Sequence, residues 1–157
     1  MNGFIMADAA KCIGCRTCEV ACVVAHQENQ TCATVSSGAF IPRIRVIKDD
    51  AFTTAVTCHQ CEDAPCANAC PTIAIRREHG HIFVEQARCI GCKSCMLACP
   101  FGAMNVVAQR SRVQAVKCDL CWYRETGPAC VESCPTRALQ CVDAAKIQQQ
   151  RLRSQPL

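Results

Sequence analysis

The sequence predicts a small α+β fold built of two similar units whose interiors are filled by bound metal more than by side chains. Three observations carry that expectation. Four groups of four cysteines recur along the chain, beginning at Cys12, Cys58, Cys89 and Cys118. Short stretches between them alternate in polarity and are bounded by turn residues, as strands of small ribbons are. The apolar content is also thin: without the 18 cysteines the hydrophobic fraction falls from 50% to roughly 38%, and only 4% of residues are aromatic. An average globular chain reaches ~45–50%, so 157 residues of this composition make one ordinary domain or two very small ones.

The elements follow in order. Residues 4–8 suit a short strand leading into Cys12-x2-Cys15-x2-Cys18-x3-Cys22, where Gly14 suits a chain wrapping tightly round a bound group. No proline follows Cys22, so Glu19 to Gln27 are expected to run on as a helix. Residues 28–40 are polar and form a surface loop. Arg43 to Lys48 alternate with period two, a half-buried strand, and Asp49-Asp50 turn the chain. The second group is Cys58-x2-Cys61-x4-Cys66-x3-Cys70-Pro71, and residues 71–88 then give strand, turn at His79-Gly80, and strand. The third group is Cys89-x2-Cys92-x2-Cys95-x3-Cys99-Pro100, followed by candidate strands at 103–107 and 113–116. The fourth is Cys118-x2-Cys121-x8-Cys130-x3-Cys134-Pro135, then a closing strand at 138–142. Residues 143–157 are Gln- and Arg-rich and suit a short helix fraying into a tail.

Cysteine at this density means disulfides or metal. The start of the chain has no basic segment followed by a long apolar run, and no stretch of 18 apolar residues occurs, so neither an export signal nor a membrane span is expected. A cytoplasmic, metal-binding chain is favoured. The spacing names the metal: C-x2-C-x2-C-x3-C-P is the bacterial run for [4Fe–4S] clusters, in which the fourth cysteine ligates the other cluster of a pair. Structural zinc prefers C-x2-C pairs set further apart. With sixteen thiolates in four sets, every cluster has four cysteines and none an open iron, which points to electron transfer and to no catalytic residue. The formal charge of +4 also falls to near −4, because sixteen thiolates on four oxidised cores add roughly −8. Nucleic-acid binding is therefore not expected.

Sequential pairing of groups one with two and three with four, or nested pairing of two with three and one with four, are both open. The compact hairpin between Cys70 and Cys89 favours nesting.

The segments Phe4-Ile-Met-Ala-Asp8, Lys11-Cys-Ile-Gly-Cys-Arg-Thr-Cys-Glu-Val-Ala-Cys22, Cys61-Glu-Asp-Ala-Pro-Cys-Ala-Asn68, and Lys117-Cys-Asp-Leu-Cys121 with Gly127-Pro-Ala-Cys130 carry a resemblance. Over about residues 3–142 the chain resembles the four-cluster iron–sulfur subunits that serve molybdenum oxidoreductases and formate hydrogenlyase, relatives of the DMSO reductase iron–sulfur subunit. It is most similar to the HydN/YsaA-type branch. The resemblance implies two bacterial-ferredoxin-like units, one nested inside the other. The outer unit spans 1–52 and 108–157 and the inner 53–107. It implies cluster one on Cys12, Cys15, Cys18 and Cys134, cluster two on Cys22, Cys118, Cys121 and Cys130, cluster three on Cys58, Cys61, Cys66 and Cys99, and cluster four on Cys70, Cys89, Cys92 and Cys95. The expected function is an electron relay to or from a partner such as a molybdenum formate dehydrogenase, a hydrogenase or a flavoprotein. A maturation or stabilising factor for such an enzyme is the alternative.

The remaining residues invite blander readings. Cys32 is expected to be a free thiol in a polar loop and Cys141 to pack in the core. His26, His59, His79 and His81 form no metal-like grouping, although His59 is a candidate hydrogen-bond partner of a cluster sulfur. His79 and His81 suit a turn or surface. Lys11, Arg16, Arg88, Lys93 and Lys117 flank ligands, where cations raise a cluster's potential, but solvated surface charge is the default. Trp122 suits packing, and Arg151 and Arg153 a solvated tail.

Overall fold

The structure is a computed structural model that describes residues 3–109 and 112–143. The tail expected over 143–157, with Arg151 and Arg153, lies outside the described residues except for Asp143. Among the described residues, eight short strands pair into four separate antiparallel ribbons. β1 (Gly3–Ala7) lies against β8 (Leu139–Asp143), with Ile5 opposite Cys141. β2 (Arg45–Lys48) pairs with β3 (Thr53–Val56) round the Asp49–Asp50 turn. β4 (Ile75–Glu78) pairs with β5 (His81–Val84), and β6 (Asn105–Gln109) with β7 (Arg112–Val116).

Four helices complete the order: α1 (Thr17–Ala25), α2 (Pro65–Asn68), α3 (Ser94–Ala98) and α4 (Ala129–Glu132). α1 packs on α4 and α2 on α3, so each contact joins the helix of one cysteine group to that of another. Two single 3₁₀ turns, Cys32–Thr34 and Ser37–Ala39, interrupt the loop over 28–40. α1 is fastened to β2 by the buried Glu19, whose carboxylate accepts the Val46 N–H at 2.6 Å.

None of these elements is stable by itself. An isolated two-stranded ribbon is marginal in water, and helices need about 12–15 residues before they persist alone. Among the described residues they are held by three buried clusters, of which the two largest are rich in sulfur. One joins Ile5, Ile44, Val46 and Leu139 to Cys18, Cys22, Cys58, Cys118 and Cys130. The other joins Ile75, Ile82, Met104 and Ala115 to Cys66 and Cys95.

The chain is a twofold repeat. Strand, cysteine group, hairpin, cysteine group, strand occurs once from β1 to β4 and again from β5 to β8. The outermost strands of the first half do not pair with each other: β1 takes β8 and β4 takes β5. The equivalence extends to backbone detail. Gly14 and Gly91 both have φ +70°, and each faces the next hairpin, at Thr53 and Val113 respectively. A Cβ on Gly91 would lie 2.5 Å from Val113 Cγ1. Gly91→Ala therefore combines left-handed strain of ~1–2 kcal/mol with overpacking of ~1–3 kcal/mol. A fall in stability on the order of 2–4 kcal/mol in thermal denaturation of the loaded protein is expected, and more than Gly14→Ala, whose Cβ meets Thr53 Cγ2 at 3.0 Å.

Four side chains differ from expectation, among them Lys117, buried at 3% exposure and not a solvated surface charge, and Trp122, exposed and not packed. Cys141 is exposed, not packed in the core, because β8 is buried only at Leu139 and leaves the core beyond it. His81 is buried rather than at the surface, with its ring 5.6 Å from that of Trp122, itself 62% exposed.

Candidate metal centres

None of the 18 cysteines is in a disulfide. Cys12, Cys15 and Cys18 come from the loop before α1 and its first turn, and Cys134 follows α4. These four line one small cavity, walled by Ile13, Val46, Ala55 and Leu139. A second small cavity is lined by Cys89, Cys92, Cys95 and Cys70, with Ile90, Val106, Ala115 and Ile75 as walls. The walls correspond position by position across the repeat: the β2–β3 hairpin roofs the first cavity as β6–β7 roofs the second.

The other eight thiols gather in two further sets. Burial, then the charges of Cys130 and Cys22, pushes Cys118 well up. Burial, with Cys22 and Cys121 among its neighbours, raises Cys130, and burial with Asp119 and Cys22 raises Cys121. Burial, then Cys58 and Cys99, pushes Cys66 up to about 11 and also raises Cys61. Adjacent sets also meet. Cys130 feels Cys18 of the first cavity, Cys58 shares a buried cluster with Cys118, and Cys66 shares one with Cys95. Of these sixteen residues only Cys15 and Cys92 are exposed.

Hydrogen bonds prepare several sulfurs to carry charge. The N–H groups of Arg43, Gln60, Ala74, Leu120 and Ala138 donate to Cys22, Cys58, Cys70, Cys118 and Cys134 at 3.3–3.5 Å. Each cavity adds two hydroxyls. Thr17 Oγ1 donates to Cys15 Sγ at 3.3 Å, and Ser94 Oγ lies 3.4 Å from Cys92 Sγ. These bonds hold both thiols below their ordinary range. Thr72 and Thr136 stand 3.6 and 3.7 Å from Cys70 and Cys134, where burial opposes the shift but the hydrogen bonds outweigh it. Their signal in the sequence is a hydroxyl residue two places after the cysteine, at Cys15, Cys70, Cys92 and Cys134.

The donor sets fit a [4Fe–4S] cluster. Four soft thiolates suit iron–sulfur or zinc. A C-x2-C-x2-C-x3-C run joined by the last cysteine of another group, as Cys70 joins Cys89, Cys92 and Cys95, is the pattern of paired [4Fe–4S] clusters. Buried thiols without a counter-cation also stay protonated, so a cationic core is what makes thiolates stable there.

The loop holding Cys118 and Cys121 is tied to α1 by a charged network that the sequence reading missed. Arg43 Nη1 donates to Asp119 at 2.6 Å, and His26 Nε2 lies 3.1 Å from the same carboxylate. His26 Nδ1 meets the Cys22 carbonyl at 2.7 Å, and the Cys121 N–H donates to Asp119 at 3.0 Å. Burial disfavours charge on both groups, yet their bonds prevail: His26 is lifted to about 9 and Asp119 held near about 2. His26, Asp119 and the Cys121 sulfur lie within 4.8 Å of one another, but both ring nitrogens donate and Arg43 occupies the carboxylate, so this is a brace and not a metal site. His59 is stacked between Phe4 and Phe101, at 5.1 and 3.8 Å between centroids. The broad groove between β5, β7 and α1 is lined by His26, Arg43, Asp119 and Trp122 and by none of the thiols.

The model of the 4Fe-4S dicluster domain matches residues 50–144. The chain belongs to the 4Fe-4S dicluster family. The dicluster span covers the second, third and fourth cysteine groups, and the first lies ahead of it. Among dicluster relatives the chain is 74% identical to YsaA of Escherichia coli (strain K12), over all of both chains. It is 57% identical to the electron transport protein HydN of the same organism, over 95% of this chain and 93% of that one. It is 37% identical to formate hydrogenlyase subunit 2 of that organism, covering 94% and 85%.

Proposed function

We propose that the chain is an electron-transfer protein with four [4Fe–4S] clusters and no catalytic site of its own. When bound, such clusters supply one-electron redox chemistry. The single observation that supports this reading is the gathering of the thiols in buried clusters shared by neighbouring cysteine groups, with Cys15 and Cys92 exposed. The ligand sets are Cys12, Cys15, Cys18 and Cys134; Cys22, Cys118, Cys121 and Cys130; Cys58, Cys61, Cys66 and Cys99; and Cys70, Cys89, Cys92 and Cys95. The first two belong to an outer unit, 1–52 and 108–157, and the last two to an inner unit, 53–107. The α1–α4 and α2–α3 contacts support that division.

What the chain's own residues do is bind and tune. Backbone N–H and hydroxyl donors to sulfur lower the cost of adding negative charge at each site. The walls of Ile, Val and Ala keep water off the inner sulfurs. No helix among the described residues is long and apolar enough to cross a membrane, and the reading places the protein in the cytoplasm, where thiols stay reduced. The name of formate hydrogenlyase subunit 2 supports a redox partner that acts on formate or hydrogen, and the family resemblance extends this to a molybdenum oxidoreductase, a hydrogenase or a flavoprotein.

Anaerobically purified protein is expected to hold about sixteen iron and sixteen sulfide per chain. Mixed with a formate dehydrogenase and formate, it is expected to bleach in the visible. Zinc in place of iron overturns the cluster reading. Faster maturation of the partner enzyme without bleaching would assign the chain to assembly instead.

A further inference from the structure

Lys117 breaks the repeat. It precedes Cys118 as Thr57 precedes Cys58, and both side chains are buried, Lys117 at 3% and Thr57 at 2% exposure. Thr57 is neutral and donates to the Ile5 carbonyl. Lys117 brings a full charge into the same kind of position. Its Nζ donates to the Cys118 carbonyl at 2.9 Å and to Gln60 Oε1 at 3.5 Å.

Gln60 is wholly buried and joins both central thiol sets. Its Nε2 donates to the Cys118 carbonyl at 2.8 Å, its Oε1 accepts the Ile82 N–H at 2.8 Å, and its own N–H donates to Cys58 Sγ at 3.4 Å. Lys117 therefore stands between the set containing Cys118 and the set containing Cys58 and Cys66.

The other cations beside ligands are different. Lys11 and Arg88 are more than half exposed and paired with Asp8 and Glu85, Arg16 reaches Glu19, and Lys93 is exposed. Solvent and salt screen such charges. Among the described residues no carboxylate pairs with Lys117, and a buried charge acts at low dielectric, where it is felt strongly.

We propose that Lys117 is a fixed positive charge shared by the two central clusters, holding both at higher potential than their ligands alone would give and leaving the two end clusters unaffected. This rests on the four-cluster reading above. An electron added to either central site approaches the same ammonium group, so the pair is poised together while the ends are poised by their hydroxyl bonds.

The test is an EPR-monitored redox titration of the loaded protein carrying Lys117→Met, with iron counted in each sample. Two of the four clusters are expected to move to lower potential. At a fixed ambient potential their reduced-to-oxidised ratio falls about tenfold, which is 59 mV for one electron. The other two stay in place, Lys117→Arg restores the pair, and the shift is the same at low and high salt. Unmoved potentials at full iron content, or equal shifts in all four clusters, would overturn the proposal. If Lys117→Met does not load iron, Lys117→Gln, which keeps a donor for the Cys118 carbonyl, carries the same test. Failure of both to load would assign Lys117 to folding alone and overturn it. Wild-type protein with far fewer than sixteen iron would show instead that the four-cluster reading had failed, and the present proposal with it.

Discussion

Cys70→Ser removes the cluster of the third cysteine group and spares that of its own. This is the expected result because Cys70 shares a cavity with Cys89, Cys92 and Cys95. Its neighbours in sequence, Cys58, Cys61 and Cys66, gather with Cys99 instead. The Ala74 N–H and the Thr72 hydroxyl aim at the Cys70 sulfur, so the position is prepared for a charged ligand. A serine hydroxyl is harder and less acidic than a thiol and holds iron poorly. Iron content is expected to fall from about sixteen toward about twelve, one cube of four lost. EPR should show which site is gone. Loss confined to the site of Cys58, Cys61 and Cys66 would refute the cross-ligation. The reciprocal variant, Cys99→Ser, is expected to damage that site and leave the Cys89 site intact.

Stripping the iron is expected to unfold the protein. Five of the nine residues in the larger buried cluster are cysteines. Among the described residues the strands are paired only two by two, and the longest helix has nine residues. Without a core to bind them, the sulfurs are protonated, since burial pushes Cys18 and Cys66 up to about 11. Four thiols round an empty hollow replace a bonded centre, and structural metal sites commonly contribute most of a small domain's folding energy, ~10–16 kcal/mol each for zinc fingers. Anaerobic chelation should therefore abolish the far-UV circular dichroism of the helices and open the chain to protease in one step. Loading should release protons and weaken as pH falls. An iron-free chain with dispersed amide resonances would show that aliphatic packing suffices, against this view.

Much of this was legible in the sequence because cysteine spacing is a local signal. β1, β4 and β5 alternate or sit against a turn signal, and β8 closes where Ala138 to Val142 suggested. β3 was not legible. Thr53–Val56 is half-buried at every position, so no alternation marks it, and it is a strand because Asp49–Asp50 folds it back on β2. α2, α3 and α4 have four or five residues, too few for a helical period. The brace of His26, Arg43 and Asp119 was hidden for another reason: its members lie up to 93 residues apart and meet only in the folded chain. Lys117 looked like a surface cation beside a ligand. Only the buried carbonyls of Cys118 and Gln60 show otherwise.

The pairing of β1 with β8 makes the chain, topologically, a ring. Round it the four cysteine groups follow one another, with ribbons alternating between them. Nesting is then a matter of where the ring is cut, not of how it is built. Opened at the Asp49–Asp50 turn and sealed beyond β8, the same circle would pass through the second and third groups, then the fourth and first. The two proposed units would lie one after the other, with every thiol set unchanged. The inserted order of this chain and a plain tandem order are thus two linear readings of one circular design.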